Sequence, residues 1–552
     1  GLNLVAAEHT VLKGEVYAGG QFQDYAERDY GRSALYVRKS VIIDAGDLPR
    51  GITIAWSGGS ASRARVLAVY GDLTMSNVTI ASGRVTSEAT GDASQPFTLA
   101  RGGGLAVWGT ATLSHCTLTG NTVEGDENPS RDRGAFGGGI YGNRLLLSDC
   151  IVSGNTVTGF GGAGGGVYSV GGQGMKGRGS TITRCTISGN RVVGEHAYGG
   201  GVFSEGGGPG SNETLTLKNC TIARNAVVDN PYVPESPMTQ YYYRGGGVYM
   251  TNGSLAVAAC TIAENAVSGP WALFRGRPNV GGGGIAATIG NAHVVDRMEV
   301  WHSIIAGNTV NGADDDLFSG SLLQFFSYGY NRIGKLDFGQ ILVPIPSWMF
   351  LSRKHWPKAG DQEGVALADV VALDAIEFHP SIKSTGVDDG ANAVLWYPPS
   401  GGAVDQIPPA GYSVPYVLAG CSDVPGQSDH FLNAILGAVR TRYAAVLGSG
   451  FGAEFGDMTG VVFDPVPVTW PSEPANAPWI KFWRDLDAAI GGRLGAAALA
   501  DDFWGSLALD PRESGVEMTV EVFARRVLPS QVDQRNQRRP SGARGDIGAI
   551  ER

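Results

Sequence analysis

Across the first 310 residues the apolar positions follow one phrase: apolar-x-x-Cys-(Thr/Ile)-apolar-x-x-Asn-x-Val. Its copies run Leu113…Cys116…Leu118…Asn121…Val123, Leu147…Cys150…Val152…Asn155…Val157 and Ile182…Cys185…Ile187…Asn190…Val192. They continue as Leu217…Cys220…Ile222…Asn225…Val227 and Val257…Cys260…Ile262…Asn265…Val267. A sixth copy places Ser303 at the cysteine position, with Ile305, Asn308 and Val310 after it, and a degenerate forerunner sits at Met75…Val78…Ile80. Within each copy apolar and polar residues alternate, which is the period of a strand. The residues are largely β-branched, which favours the same reading.

The interval between successive cysteines is 34, 35, 35 and 40 residues, while the phrase itself keeps its length. Fixed-length strands with variable connections imply a constant coil from which loops hang. The nearest partner for each strand is its counterpart one turn along, so the expected architecture is an all-β parallel solenoid with coils about 4.8 Å apart. Equivalent side chains then stack. Asn121, Asn155, Asn190, Asn225, Asn265 and Asn308 are expected to form a hydrogen-bonded amide ladder, at a corner whose left-handed backbone Asn tolerates. Glycine clusters before each copy, such as Gly102–Gly104 and Gly245–Gly247, permit sharp bends.

Composition adds three bounds. The chain has 552 residues, 84 of them Gly, which suffices for a large core and more than one domain. Its formal net charge is −10 without a Lys/Arg-rich run, which argues against nucleic acid as a partner. No apolar run approaches the roughly 20 residues of a transmembrane helix. Five of the six cysteines (Cys116, Cys150, Cys185, Cys220, Cys260) share one ladder position, which Ser303 and Val78 also fill. That position calls for a small buried side chain, so the cysteines are expected to be reduced core thiols. His115, beside Cys116, is expected to point the opposite way along a strand.

Residues 1–60 read as an N-terminal cap with the first turns, including a segment from Tyr25 to Tyr36. Residues 61–335 form the coil, and residues 336–552 form a mixed, partly helical cap and interaction region. Helical spacing marks 429–447 and 478–503, and prolines and tryptophans gather between Gly334 and Pro357.

The repeats resemble the glycine-rich right-handed parallel β-helix proteins that bacteria secrete or display, of the polymorphic outer-membrane-protein type. Residues 245–249 and 215–225 carry that likeness. The segments 302–309, 316–317 and 327–334, the step Gly360-Asp361-Gln362, and the terminal Asp533-Gln-Arg535, Arg539-Pro540 and 545–551 resemble the "choice-of-anchor Q" family. The resemblance implies a right-handed coil, export and a cell-surface location, and it carries no catalytic residues. The expanded stretch of about 365–530 departs from the family. The start at Gly1 rather than Met is compatible with removal of a signal peptide.

Three acids in a row, Asp314, Asp315 and Asp316, have the oxygen donors for a structural calcium ion, and a solvated turn closing the last coil is the alternative favoured; no other cofactor is expected. Glu195-His196, Asp429-His430 and Asp388-Asp389-Gly390 read as loop surface. The run Gly161–Gly166 lacks the Gly-Lys-Ser/Thr of a phosphate loop. Loops after each ladder asparagine carry Tyr241, Tyr242, Tyr243, Trp271 and Phe274, aromatic groups suited to carbohydrate or protein contacts. The function expected is a non-enzymatic extracellular structural or adhesive protein that contacts itself, another surface protein or surface carbohydrate, with homo-polymerisation into a filament or sheath as a variant. The alternative is a polysaccharide lyase or glycoside hydrolase.

Overall fold

The computed structural model describes residues 33–48, 51–57, 63–87, 100–125, 134–170, 179–206, 214–229, 242–270, 273–274, 277–278, 280–288, 297–319, 324–338, 354–355, 357, 360–375, 377–380 and 393–403. The chain divides into two compact units. The first comprises residues 1–342, 356–408 and 530–552, and the second comprises 343–355 and 409–529. The first unit thus takes in residues well beyond 335. The segments 429–447 and 478–503, the terminal motif at 533–551 and the residues before Ser33 lie outside the described residues.

Each turn of the coil contributes strands to three parallel sheets. The first sheet stacks Thr117–Thr119, Ile151–Ser153, Thr186–Ser188, Thr221–Ala223, Thr261–Ala263 and Ile304–Ala306. The second stacks Thr122–Glu124, Thr156–Thr158, Arg191–Val193, Ala226–Val228, Ala266–Ser268 and Thr309–Val310. The third, longest sheet contains Leu105–Ser114, Ile140–Ser148 and their successors. Register is in phase from coil to coil, so like residues meet. Leu118, Val152, Ile187, Ile222, Ile262 and Ile305 form one column. Leu113, Leu147, Ile182, Leu217, Val257 and Val300 form another. Nearly all of these are fully buried, which at about 1.5–3 kcal/mol per aliphatic side chain makes the columns the main source of stability.

The corners have a common design. The residue before each ladder asparagine, and not the asparagine, takes the left-handed backbone: Gly120, Gly154, Gly189, Arg224, Glu264 and Gly307 have φ between 56° and 72°. The residue before each cysteine position does the same: His115, Asp149, Arg184, Asn219, Ala259, His302 and Tyr330 lie at φ 48–55°. The expectation for the asparagines is corrected accordingly, and His115 occupies a bend rather than a strand. In each glycine cluster the residue three before the following strand has positive φ, as Gly102 at 62°, Gly245 at 68° and Gly282 at 66°. The last abuts the asparagine of the same coil: a Cβ on Gly104 would lie 2.8 Å from the Asn121 amide, and one on Gly284 would lie 2.8 Å from that of Asn308. Ordinary side chains are thereby excluded from both positions.

The outward faces of the first two sheets differ. In the first sheet Thr221, Ala223, Thr261, Ala263, Ile304 and Ala306 are buried on the outside as well. Residues from the segment 360–403 contact this side. Ala393–Trp396 lies near Thr186–Ser188, Leu367 lies against Gly307, and the Tyr397 hydroxyl donates to Glu264. The second sheet keeps its outward residues half-exposed.

Candidate functional surfaces

The asparagines form the ladder in hydrogen-bonded detail. From Asn155 onward each Oδ1 accepts two bonds from the coil before it, one from the backbone N–H and one from the side-chain amide of the preceding ladder residue, while Asn121 Oδ1 accepts the Gly83 N–H. For Asn121 to Asn155 the distances are 3.0 and 2.9 Å, and for Asn190 to Asn225 they are also 3.0 and 2.9 Å. The same pair of bonds joins Asn155 to Asn190, Asn225 to Asn265 and Asn265 to Asn308. The second amide hydrogen turns back to a carbonyl on the previous coil, as Asn190 Nδ2 to Val152 O at 2.8 Å. Both functions of the amide are used, and the corner N–H is satisfied without a strand neighbour.

The cysteine position solves the same problem at the preceding corner. Cys185 Sγ accepts the Cys150 N–H at 3.3 Å, and Ser303 Oγ accepts the Cys260 N–H at 3.1 Å. The thiols donate to carbonyls, as Cys220 to Lys218 O at 3.2 Å. All five cysteines are free and buried, and burial pushes the Cys185 and Cys260 thiols well above the ordinary range. The position therefore selects a compact acceptor as well as a compact volume.

Both ladders end on a carboxylate. Asn308 donates through its backbone N–H (2.7 Å) and its amide (2.8 Å) to Asp316 Oδ1, while Asp316 Oδ2 accepts the Lys335 N–H at 2.8 Å. The cysteine ladder runs on through Ser303, whose N–H bonds to Asn331 Oδ1 at 3.0 Å. Asn331 then donates twice to Asp361 Oδ1, at 2.9 and 3.0 Å. Every rung passes its backbone N–H, and each asparagine one amide hydrogen, toward the C-terminal end, so the last member must accept without needing to donate onward, which a carboxylate does. Burial pushes the Asp316 carboxyl up to about 6, against the pull of the bonds from Asn308 and Lys335.

The structure distributes the remaining candidates unevenly. Asp314 is exposed in a hairpin strand, Asp315 is half-buried and Asp316 is 1% exposed. Among the described residues no three acidic, His or Cys side chains gather as a metal site. Tyr243 is corrected from contact residue to core: it is 1% exposed, packs with Val227, Val267 and Val280, and donates to Asp229 at 2.5 Å. Tyr242 is half-buried beneath the Arg244 guanidinium, 5.5 Å from its ring centre. Phe274 lies in a two-residue strand, Leu273–Phe274, paired with Arg277–Pro278. Tyr241 and Trp271 lie outside the described residues.

An aromatic column on the outside of the third sheet is the main feature that the sequence reading passed over. Tyr141, Tyr168, Phe203 and Tyr249 are in register on successive coils, and Phe318 follows after Ala286. Tyr141 and Tyr168 stack at 5.3 Å between ring centres, and Tyr168 and Phe203 at 4.6 Å. A parallel row containing Phe136 and Tyr198 closes over them: Phe136 lies 4.8 Å from Tyr168, and Tyr198 lies 5.0 Å from Tyr249. Arg101 stands over the Tyr141 ring at 4.8 Å and donates to its hydroxyl at 2.8 Å. The column is 4–8% exposed, so it forms a second, external packing layer. Its signal was in the phrase Gly-Gly-Val/Ile-Tyr/Phe, whose aromatic recurs at one position after the glycines.

Residues 66–310 match the family model of the right-handed β-helix region. The coil is a right-handed parallel β-helix. No match was found among curated proteins, and none among solved structures. No helix among the described residues is long and apolar enough to cross a membrane.

Proposed function

We propose that this β-helix is a non-enzymatic structural or adhesive protein that acts outside the cell, contacting another surface protein or surface carbohydrate. The observation that carries the reading is the direction of its built chemistry. The asparagine ladder, the cysteine ladder and the aromatic column all run along the coil axis and bond coil to coil. Side chains held in this way stiffen a rod, since bending must break cooperative amide bonds or part stacked rings. Variable loops between constant coils then supply contacts without disturbing the scaffold. The resemblance of the repeats to exported bacterial β-helices supports the location.

The test is incubation of the full chain with a panel of acidic and neutral polysaccharides, reading unsaturated products and new reducing ends alongside co-sedimentation. Binding without product is expected. Turnover of any substrate in the panel overturns the reading in favour of a carbohydrate-active enzyme.

A further inference from the structure

The last outward column of the third sheet carries a cation that the fold does not use. Ser114, Ser148, Thr183 and Lys218 are in register on successive coils, so their side chains rise along the coil axis about 4.8 Å apart. All four are half-exposed. The column continues as Ala258 and Trp301, both buried, so Lys218 stands where the open strip ends. Beside it the Arg184 guanidinium is held as a fork on Asp149, through Nε at 2.7 Å and Nη2 at 2.6 Å. That ion pair consumes the Asp149 carboxylate. Among the described residues no carboxylate pairs with Lys218, and the charge that faces it is Arg184. Burial first, and then Arg184, holds the Lys218 ammonium below its ordinary value. A lysine placed here costs stability and makes no bond in return, whereas a hydroxyl like those on the three coils before it would serve the strand equally well.

We propose that Lys218, backed by Arg184, binds the carboxylate of an acidic polysaccharide whose chain lies along the hydroxyl strip of Thr183, Ser148 and Ser114. The inference rests on the reading of this protein as one that contacts surface carbohydrate, and it names the site and the class of chain. Charge complementarity selects an anion, because Asp149, Arg184 and Lys218 together leave one positive charge uncompensated. Among the described residues the Ser114 and Thr183 hydroxyls make no hydrogen bond, and that of Ser148 reaches Leu113 O only at 3.5 Å. Hydroxyls both donate and accept, which suits the hydroxyls of a sugar chain. The four side chains include none of the aromatic anchors typical of protein contacts. The formal net charge of −10 repels a densely charged polyanion, so the chain favoured carries isolated uronates among neutral sugars.

The experiment is affinity electrophoresis of the full chain in native gels containing xanthan, glucuronoxylan or gum arabic, each compared with its carboxyl-reduced form. The expected result is retardation by at least one of the three, abolished by carboxyl reduction. K218M, which keeps the aliphatic stem, should weaken it at least tenfold, with circular dichroism to verify folding. K218T, which copies the residue one coil before, should behave alike, and K218R should retain most of the retardation. The melting temperature of K218M should hold or rise, since a repulsion is removed, and free glucuronate should displace the polymer only weakly. Retardation that survives both carboxyl reduction and K218M overturns the site and leaves the carbohydrate-contact reading standing. Retardation by neither form of any polymer overturns both. Full displacement by equimolar glucuronate overturns the polymer strip in favour of a bare ion site. A lower melting temperature with unchanged retardation assigns the lysine to the fold and overturns the site as well.

Discussion

At the C-terminal end of the coil the Asn311–Gly312 turn folds the last strand of the second sheet back on itself, pairing Thr309 with Asp314 and Val310 with Ala313. Asp316 and Asp361 end the two ladders. The buried Arg332 guanidinium donates to Gly360 O, Asn331 O and, at 2.6 Å, Gly402 O, tying the closing segment to the last coil. At the N-terminal end Ser33–Val37, Val41–Asp44 and Ile52–Ala55 each pair with one strand among the described residues, and their inward residues are half-exposed. The comparison teaches that continuing a β-helix needs only repetition, whereas stopping it needs residues of different chemistry. A chain reversal replaces a strand edge, an acceptor-only side chain replaces an amide, and a buried cation collects the orphaned carbonyls.

The largest expected effect breaks the closed end outright. Truncation after Phe338 removes Asp361 and the segment 360–403, exposing the edge of Arg332–Ile333 and the outward face of the first sheet. Soluble yield should collapse into aggregate, while deletion of 409–529 alone should leave a folded coil by circular dichroism. A soluble, cooperatively melting truncation would show that the described cap is dispensable.

Next in size is the ladder between the ends. Asn190→Ala leaves the Asn155 N–H and amide without their shared acceptor, two buried donors at roughly 1–3 kcal/mol each. Chemical denaturation should register the loss, whereas Tyr242→Ala, in a half-buried loop position, should move the midpoint far less. Equal losses at the two sites would contradict the structural weight given to the ladder.

The cysteine ladder sharpens the point at lower energy. Cys260→Ser keeps the acceptor that Ser303 already supplies one coil on and should cost less than Cys260→Ala, which strands the Cys220 N–H now bonded at 3.5 Å. The difference should be about 1 kcal/mol. Equal cost for the two variants would mean that volume alone decides the position. Thiol titration of the native protein should find all five ladder cysteines unreactive until denaturant is added.

How much of this was legible in the sequence depended on whether a feature repeats. The coil, its strand register and both ladders follow from period and spacing, because stacking forces like residues together. The aromatic column is equally periodic, but an aromatic on the outward side of a strand alternation reads as a solvent-facing residue. The ends could not be read in that way. Asp316 and Asp361 lie in no repeat, and nothing local distinguishes Asp316, which is buried with both oxygens bonded, from the exposed Asp314 two residues before it. The Asn311–Gly312 pair is a recognised hairpin signal, masked by its place directly after a full copy of the phrase. Tyr243 was misplaced because a run of three tyrosines reads as surface loop until the register of Tyr243 with Ala197 and Val280 places it over the second-sheet valines.

The smallest expected effect tests the chemistry of the stop itself. The Asp316 carboxyl has its folded-state value raised from 3.8 to about 6, with burial as the largest cause and Asp314 adding repulsion. Burial also raises the Asp315 carboxyl, where Lys335 opposes and Asp337 reinforces the shift. Between about pH 4 and 6 the folded chain therefore holds a proton that the unfolded chain releases, so acidification through this window favours the fold, and stability declines as pH rises to 6 and levels off above it. The sign is opposite to that of a carboxylate held below its ordinary value, as Asp44 is by its hydrogen bond from Ser76. Denaturant midpoints measured from pH 7.5 to 4.5 should rise for the native chain by an amount equivalent to about 1–2 kcal/mol. Asp316→Asn should lower stability at every pH, because its amide would face the Lys335 N–H that Oδ2 now accepts, and should flatten most of the slope. An unchanged slope in that variant would assign the titration to Asp315 or elsewhere. An isosteric Asn that stabilises the fold at pH 7.5 would show that charge burial outweighs the acceptor role at the end of the ladder.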